Sequence, residues 1–294
     1  MPSLKEVKNR INSVNSTRKI TSAMKMVASA KLHSAQKSIE SMRPYESRLN
    51  RIMATFIGTI DGEVSSPYAV ERNVERVALV VLTSNSSLCG AFNSNVVKEL
   101  KSTIAHYEQQ GIEVVKIFPI GKKGSEAVRK FRGEAADYSD MLDKPAYAPA
   151  AELAQQLMDM FAHKEIDKVD LIYYHFKSAG SQILTKEQFL PVKLDSTVSP
   201  EQEKENESSF LNDYIVEPSK EELIQKLIPK ALYLKLYTAQ LDSLASEHAA
   251  RVIAMQIATD NADDLLHDLT LQYNKTRQQA ITAELLDIVG GSMQ

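Results

Sequence analysis

The sequence predicts an α/β protein in which a long antiparallel coiled coil of N- and C-terminal helices carries an inserted Rossmann-like α/β domain. Two glycine-free stretches at opposite ends of the chain repeat apolar residues at helical spacing. Between them, short apolar runs alternate with helical segments, which is typical of an α/β domain. A helix of about 55 residues is on the order of 80 Å long, so the two end segments can bury their apolar stripes by pairing with each other.

The first stretch, residues 1–58, is predicted to be the N-terminal helix of the coiled coil. Its apolar stripe consists of Leu4, Val7, Ile11, Val14, Ile20, Met24 and Val27. Ser3 and Glu6 have the spacing of a capping box, so the helix is expected to begin there. Pro44 is expected to kink or locally break the helix, because its ring removes a backbone donor and crowds the preceding turn.

The central α/β domain is predicted over residues 75–194. Val77–Leu82 is a continuous apolar run that ends in a polar turn, which is typical of a buried parallel strand. The other predicted elements are strands at 112–118 and 169–176, an edge strand pair within 181–192, and helices at 95–110, 125–131 and 148–163. This alternation predicts a mostly parallel sheet.

The last zone begins with an acidic linker, residues 200–218, which contains six Asp or Glu and one Lys. The C-terminal helix of the coiled coil is predicted over residues 219–294. Its stripe residues are Leu241, Leu244, His248, Val252, Met255, Ala262, Leu266, Leu269, Tyr273 and Ala280. Pro229 is expected to interrupt its first turns, and Gly290–Gly291 is expected to end it.

Charge is distributed unevenly along the chain. The net charge is −3, yet the segment from Met1 to Arg51 holds 11 Lys or Arg and 3 Glu, a balance of +8. A cationic arm of this kind can meet an acidic partner, which could be nucleic acid, an anionic membrane surface or an acidic protein segment. The alternative is a helix face in contact with solvent, which contributes little to binding.

Several classes of protein are disfavoured by the sequence. A single cysteine, Cys89, excludes an internal disulfide and a CxxC redox pair. No apolar run approaches the roughly 20 residues that a membrane-spanning helix needs, and a cytoplasmic protein is expected. Gly121–Ser125 matches neither GxxxxGK[ST] nor GxGxxG and is expected to be a turn at the start of a helix. The six histidines show no metal-ligand spacing, so neither a cofactor nor a metal is expected.

Four segments near the two ends of the chain give the most specific signal. They are Arg10–Ala28, Ser246–Met255, Ala258–Ala262 and Asn274–Glu284, the last of which is followed by Ile288–Gly291. In order and spacing they resemble the signatures of the gamma subunits of bacterial-type F-type ATP synthases, and the resemblance covers nearly the whole chain. It implies a central rotor shaft that couples ion-driven rotation to conformational cycling of the catalytic beta subunits and has no catalytic site of its own.

The resemblance also implies partners and contact residues. In the family, the paired helices pass through a ring of alpha and beta subunits, where Arg277 and Gln278 would bind a loop of one beta subunit. The further residues implied at the beta subunits are Arg18, Lys19, Met24, Thr282 and Glu284. The epsilon subunit would dock on the central domain, and Tyr214 and Glu217 would contact the c-ring. The chain would then lie at the cytoplasmic face of the bacterial inner membrane, reached only through the complex.

The chain departs from the family in one loop, and two other interpretations remain. Family members usually carry Asp, a basic residue and Gly where this chain has Asn85, Ser86 and Ser87. The lone Cys89 excludes the paired-cysteine switch of chloroplast relatives. The second interpretation is a coiled-coil arm that binds nucleic acid, although the basic arm has only Tyr45 as an aromatic for stacking. The third is an α/β enzyme with helical extensions.

Overall fold

The computed structural model describes residues 3–57, 66–133, 136–143, 145–192 and 219–292. The chain forms two units, which we call the paired-helix unit (residues 1–30 and 251–294) and the sheet unit (residues 31–250). Two long helices contribute to both units: α1, Leu4–Ile57, and α6, Lys220–Ser292. Together with a mixed four-stranded sheet, they confirm the predicted fold class.

The sheet unit contains four strands. They are β1 (Arg76–Leu82), β2 (Glu113–Ile120), β3 (Lys168–Ser178) and β4 (Ser181–Leu190). Their order is β2-β1-β3-β4, with the first three parallel and β4 antiparallel to β3. The three predicted parallel strands are confirmed. The predicted edge pair was wrong, because this segment forms one strand that pairs back onto β3 through a tight turn.

Helices cover both faces of this sheet. They are α2 (Phe92–Gln109), α3 (Lys122–Arg132), α4 (Asp140–Asp143) and α5 (Tyr147–Ala162). Alternate β1 residues enter different cores, since strand side chains alternate between faces. Val77, Leu79 and Val81 pack with α2, whereas the other face packs with α5 and the first turns of α6. The three predicted central helices are confirmed, and the four-residue α4 was missed because it is too short for a periodic pattern.

The paired-helix unit is an antiparallel pair of helical segments. Arg18 Nη1 donates to Asp263 Oδ1 at 2.9 Å, the Thr21 and Thr259 hydroxyls lie 2.8 Å apart, and Lys25 Nζ donates to Gln256 Oε1 at 2.5 Å. Partner numbers fall on α6 as they rise on α1, so the segments are antiparallel. The predicted capping box is confirmed: the Ser3 amide donates to Glu6 Oε2 at 2.8 Å and the Glu6 amide donates to Ser3 Oγ at 3.3 Å.

The inward-facing positions of both segments recur at alternating spacings of three and four residues. On α1 they are Val7, Ile11, Val14, Arg18, Thr21, Lys25 and Ala28, and on α6 they are Val252, Met255, Thr259, Ala262, Leu266, Leu269 and Tyr273. A seven-residue repeat of this kind is the geometry of a left-handed coiled coil. Thr21 facing Thr259 fixes seven layers, from Val7 with Tyr273 to Ala28 with Val252.

Part of the predicted α1 stripe was wrong. Ile20 and Val27 are 60% and 58% exposed, and Met24 is only half-buried. After Val14 the inward face continues through Arg18, whose polarity hides the repeat from a search for apolar residues. The apolar residues beyond it are therefore out of phase with the buried positions.

The interruption expected at Pro229 and the helix end expected at Gly290–Gly291 were wrong, and α1 is not broken at Pro44. Hydrogen-bonded helix continues through Pro44 in α1 and through Pro229 in α6. A proline removes one backbone donor, and packing on either side, such as that of buried Ile228, keeps the helix intact. α6 also passes through Gly290–Gly291 and ends at Ser292. Among the described residues, no helix combines the length and hydrophobicity needed to cross a bilayer.

Candidate functional site

The last turns of α6 have no counterpart on the described part of α1. Leu4, the first residue of α1, lies opposite Thr276 when the register of Thr21 and Thr259 is extended. Residues 277–292 of α6 therefore continue beyond the paired layers, and we call them the C-terminal overhang. Since no other described helix is paired with it, this segment presents its side chains to solvent or to another protein.

The C-terminal overhang is rich in exposed aliphatic side chains. The exposed fractions are 45% for Ile281, 57% for Leu285, 66% for Leu286, 68% for Ile288 and 55% for Val289. Single exposed apolar residues are common on proteins, but five within nine residues form a contiguous apolar surface. Such surfaces mark binding sites, so this segment is a candidate partner-binding site.

Four of the predicted contact residues lie in the same segment. Arg277, Gln278, Thr282 and Glu284 are all exposed. Thr282 Oγ1 donates to the Gln278 carbonyl at 2.9 Å, and Arg277 and Glu284, seven residues apart, share a helix face. The fork of donors on Arg277 suits carboxylates and backbone carbonyls. The overhang thus combines an apolar surface with polar groups that can orient a partner.

The predicted contact residues of α1 lie in the paired part. Arg18 is bonded to Asp263, with 39% and 52% of the two side chains exposed, whereas Lys19 points to solvent. Met24 is half-buried. Beside them lies a surface that sequence reasoning missed, formed by exposed Ile20, Met26 and Val27. It was missed because two of its residues had been assigned to the buried stripe.

The nucleic-acid interpretation loses support at the same place. Two cations of the basic arm, Arg18 and Lys25, are bonded to side chains of α6. Contacts between cations and phosphates supply most of the affinity for nucleic acid. Cations that are already bonded to side chains of α6 are less able to make such contacts. Tyr214 and Glu217, the predicted c-ring contacts, and the acidic linker at 200–218 lie outside the described residues and stay predictions.

The start of α3 is a turn, as predicted, and its backbone donors are already used. The amides of Lys122, Lys123 and Gly124 donate to Asn85 Oδ1 at 3.1 Å, the Ser84 carbonyl at 3.1 Å and Thr83 Oγ1 at 2.8 Å. Amides at this position bind phosphate in nucleotide-binding domains. Here the chain's own loop occupies them, which argues against the enzyme interpretation.

Asn85, one of the residues that depart from the family pattern, has a structural role in this loop. Besides accepting from Lys122, its side chain donates to the Ser139 carbonyl at 3.0 Å and to Asp143 Oδ1 at 2.8 Å. Gly121 has a φ of 111°, and a Cβ there would lie 2.7 Å from Thr83 Oγ1. The loop after β1 and the turn before α3 are therefore closely fitted to each other.

A polar cluster joins α6 to β3 within the sheet unit. His175 Nδ1 lies 2.5 Å from Asp242 Oδ2, and this bond raises the pKa of His175. Burial, followed by the charges of Asp242 and Glu187, raises the pKa of Glu46. Among the described residues, no group of three or more His, Cys, Asp or Glu could hold a metal ion. The bond between His175 and Asp242 joins β3 to α6, and we call it the clamp between these two elements.

Comparisons with known proteins agree on one family. The family model described as ATP synthase matches residues 3–293. The ATP synthase gamma chain of Bacteroides thetaiotaomicron is 58% identical over 299 residues, covering 100% of both chains. That of Flavobacterium johnsoniae is 47% identical, covering 99% of this chain and 98% of the relative.

Solved structures match as well. A chain of the Tetrahymena thermophila mitochondrial ATP synthase, from a structure of the central stalk and c-ring, is 26% identical with a TM-score of 0.58, covering 81% of this chain and 99% of that one. A chain of the Euglena gracilis mitochondrial ATP synthase shares the fold, with a TM-score of 0.65 at 22% identity and coverage of 99% and 93%. This chain therefore belongs to the ATP synthase family, as one of its gamma chains and hence as a non-catalytic subunit.

Proposed function

We propose that this chain is the central rotor shaft of a bacterial F-type ATP synthase. It couples ion-driven rotation of a c-ring to conformational cycling of catalytic beta subunits. The observation that carries the proposal is the C-terminal overhang, a single helix with exposed aliphatic residues at the end of an antiparallel pair. A surface of this kind is stable when other subunits enclose it.

The overhang and the paired part would act on the beta subunits in different ways. A shaft shifts the states of a catalytic site only if it makes different contacts with each state. The overhang differs around its circumference, because at helical spacing Ile281, Leu285 and Val289 lie on one side and Ala283 and Asp287 lie on the opposite side. Each beta subunit would therefore meet a different surface as the helix turns.

The contact residues follow from this arrangement. Arg277 and Gln278, with Thr282 and Glu284, would bind one beta subunit at the start of the overhang. Lys19, the exposed Ile20 surface and Met24 would face the beta subunits along the paired part. Since Arg18 is bonded to Asp263, its contribution to a partner would be weaker than that of Lys19.

The remaining partners would bind elsewhere. As a gamma chain, the protein is part of the peripheral F1 portion of the complex, and we place it at the cytoplasmic face of the bacterial inner membrane. The Tetrahymena relative comes from a structure of the central stalk and c-ring, which supports a c-ring contact. That contact would involve Tyr214 and Glu217, and an epsilon subunit would bind the central domain at 75–194. The two shaft helices would be residues 1–58 and 219–294, and residues 200–218 would link the central domain to the second of them.

The test is the double substitution Arg277→Ala with Gln278→Ala in the complete synthase. We expect coupled ATP synthesis in membrane vesicles to fall about tenfold or more, because hydrogen bonds to a charged donor contribute about 1.5–3 kcal/mol. The isolated chain should keep its helicity, since both side chains are exposed.

The matched control is Gln272→Ala with Lys275→Ala, which removes an exposed amide and an exposed cation before the overhang begins. This variant should keep most of the coupling. Equal losses in the two variants, or no loss in the first, would contradict the assignment of the contact to the start of the overhang.

A further inference from the structure

We propose that the last residues of β3 hold both α1 and α6 to the sheet near the point where these helices leave the sheet unit, and that this attachment limits twisting of the two helices against the sheet. We call residues 174–176 the β3 end. The contacts of the β3 end are properties of the isolated chain, and only the use made of them rests on the proposed function.

α6 is bonded to two consecutive residues of the β3 end. Ser246 Oγ, which belongs to a fully buried residue, donates to the Tyr174 carbonyl at 3.3 Å. One turn earlier on α6, the clamp joins Asp242 to His175 at 2.5 Å. Hydrogen bonds are directional, so these two contacts fix α6 along the strand as well as against it.

α1 is bonded to the next residue of the same strand. Arg43 Nη2 donates to the Phe176 carbonyl at 3.2 Å. The Phe176 side chain is 6% exposed and belongs to a cluster that includes both helices. The other buried members are Leu32, Ala35 and Ile39 of α1 and Leu241, Ala245 and Ala249 of α6. Because three of these six are alanines, the Phe176 ring fills space that the two helices leave between them.

The β3 end matters more for α1 than for α6. In the described part of α1, the residues that join the core formed by α5, α6 and the sheet begin at Met42. Residues 31–41 meet the sheet in the cluster around Phe176. α6 has a further contact nearby, since Ala250 packs against the core on the α2 side of the sheet. Without the β3 end, residues 31–41 of α1 would be held chiefly by α6.

Attachment of both helices is what resists twisting. The axes of packed helices lie about 8–10 Å apart, so a pair that is fixed through one helix can pivot about that helix. A second attachment, on the other helix, opposes the pivot because two separated points define an orientation. The β3 end supplies both attachments within three residues.

The β3 end is itself supported by β4. β1 pairs with β3 as far as Ile172, whereas β4 continues beside β3, with Phe176 opposite Gln182 and Ser178 opposite Ser181. The hairpin of β3 and β4 therefore extends past the parallel part of the sheet. This extension is the part of the sheet that contacts α1 and α6.

The attachment has a consequence for coupling. In the proposed function, rotation of a c-ring passes through the central part of this chain to α1 and α6. If the two helices twist against the sheet, part of each rotation is absorbed before it reaches the beta subunits. Arg43, Phe176, Asp242 and Ser246 are therefore positioning residues for coupling.

The first measurement is amide hydrogen exchange in the purified full chain. Arg43→Ala with Phe176→Ala removes the attachment of α1. The amides of residues 31–41 should then exchange about tenfold faster, the change that corresponds to losing roughly one net hydrogen bond. Leu100→Ala, which empties a fully buried position in the core on the α2 side, should leave exchange in residues 31–41 at the wild-type rate.

A milder variant covers the case in which the double variant does not fold. Arg43→Ala alone changes an exposed residue and should give a smaller increase in exchange over the same residues. Exchange at the wild-type rate in a folded variant would overturn the proposed attachment. No other subunit is present, so this result does not depend on the proposed function.

The second measurement uses the complete synthase in membrane vesicles, with Cys89→Ser as the background. The variant combines Phe176→Ala with Arg43→Cys and Lys177→Cys, which places two exposed thiols on α1 and β3. A flexible bifunctional thiol reagent can then join the two elements covalently. The ratio of ion pumping to ATP hydrolysis should fall in the unbridged form and recover after bridging.

The control omits Lys177→Cys and receives the same reagent, so it should show the loss without the recovery. A loss caused by a misfolded chain would also fail to recover, and recovery therefore separates positioning from stability. An unbridged form that couples normally, or a bridged form that does not recover, would overturn the proposal. Absence of coupling with the wild-type chain would instead contradict the proposed function.

Discussion

The sheet unit and the paired-helix unit bury their side chains to very different degrees. In the sheet unit, every residue of Val77–Leu82 is fully buried, and helices cover both faces of the sheet. In the paired-helix unit, the inward stripe includes Arg18, Thr21 and Lys25, while Ile20, Leu286 and other aliphatic residues are exposed. The first unit buries its apolar side chains within itself, whereas the second leaves apolar surface that other proteins can cover.

The largest expected difference between the two units is in the free energy of unfolding lost when one leucine in each is truncated. Leu157→Ala empties a fully buried position in the core of the sheet unit and should lower the free energy of unfolding by about 2–5 kcal/mol. Leu285→Ala removes a similar side chain that is 57% exposed in the overhang and should change it by about 0.5 kcal/mol or less. Urea unfolding of the full chain measures both values. Similar losses in the two variants would contradict the contrast.

A smaller effect concerns the clamp between β3 and α6. The pKa of His175 is raised in the folded chain, chiefly by its bond to Asp242, so protonated His175 stabilises the fold. This contribution is complete below the unfolded pKa of about 6.5 and is lost as the pH rises through the higher folded pKa. Because 45% of the His175 side chain is exposed, solvent screening limits the effect to about 1 kcal/mol or less.

The measurement is the free energy of unfolding at a series of pH values from 6 upward, compared with His175→Gln. The advantage of the wild type over the variant should shrink as the pH rises. Asp242→Asn removes the partner and should flatten the pH dependence in the same range. An advantage that grows with pH would have the wrong sign for this ion pair.

The sequence predicted the sheet unit better than the paired-helix unit, and the reason is physical. The β1 run and the Ser3–Glu6 box are signals contained in neighbouring residues. The phase of the α1 stripe beyond Val14 depends on Arg18, whose inward position is explained only by Asp263 on a distant helix. Pro44 was expected to kink or break α1 and Pro229 to interrupt α6, yet hydrogen-bonded helix continues through both prolines.

The candidate site was predictable in part. Arg277 and Gln278 came from the resemblance to a family, and composition alone would not have selected them. The apolar surface around Leu286 was missed because its exposure depends on where α1 begins relative to α6. Matching the two stripes layer by layer would have revealed it, since α1 has no residue to pair beyond Leu4 within the described part of the chain.

The most direct test of the central claim, that other subunits enclose the C-terminal overhang, is the thiol reactivity of Leu286→Cys with and without the complex. In the Cys89→Ser background, we expect rapid alkylation of the isolated chain and a rate at least about tenfold lower in the assembled synthase, as expected for a buried thiol. Asn73→Cys, exposed ahead of β1 and outside the proposed contacts, should react at similar rates in both states. Equal reactivity of Leu286→Cys before and after assembly would contradict the account.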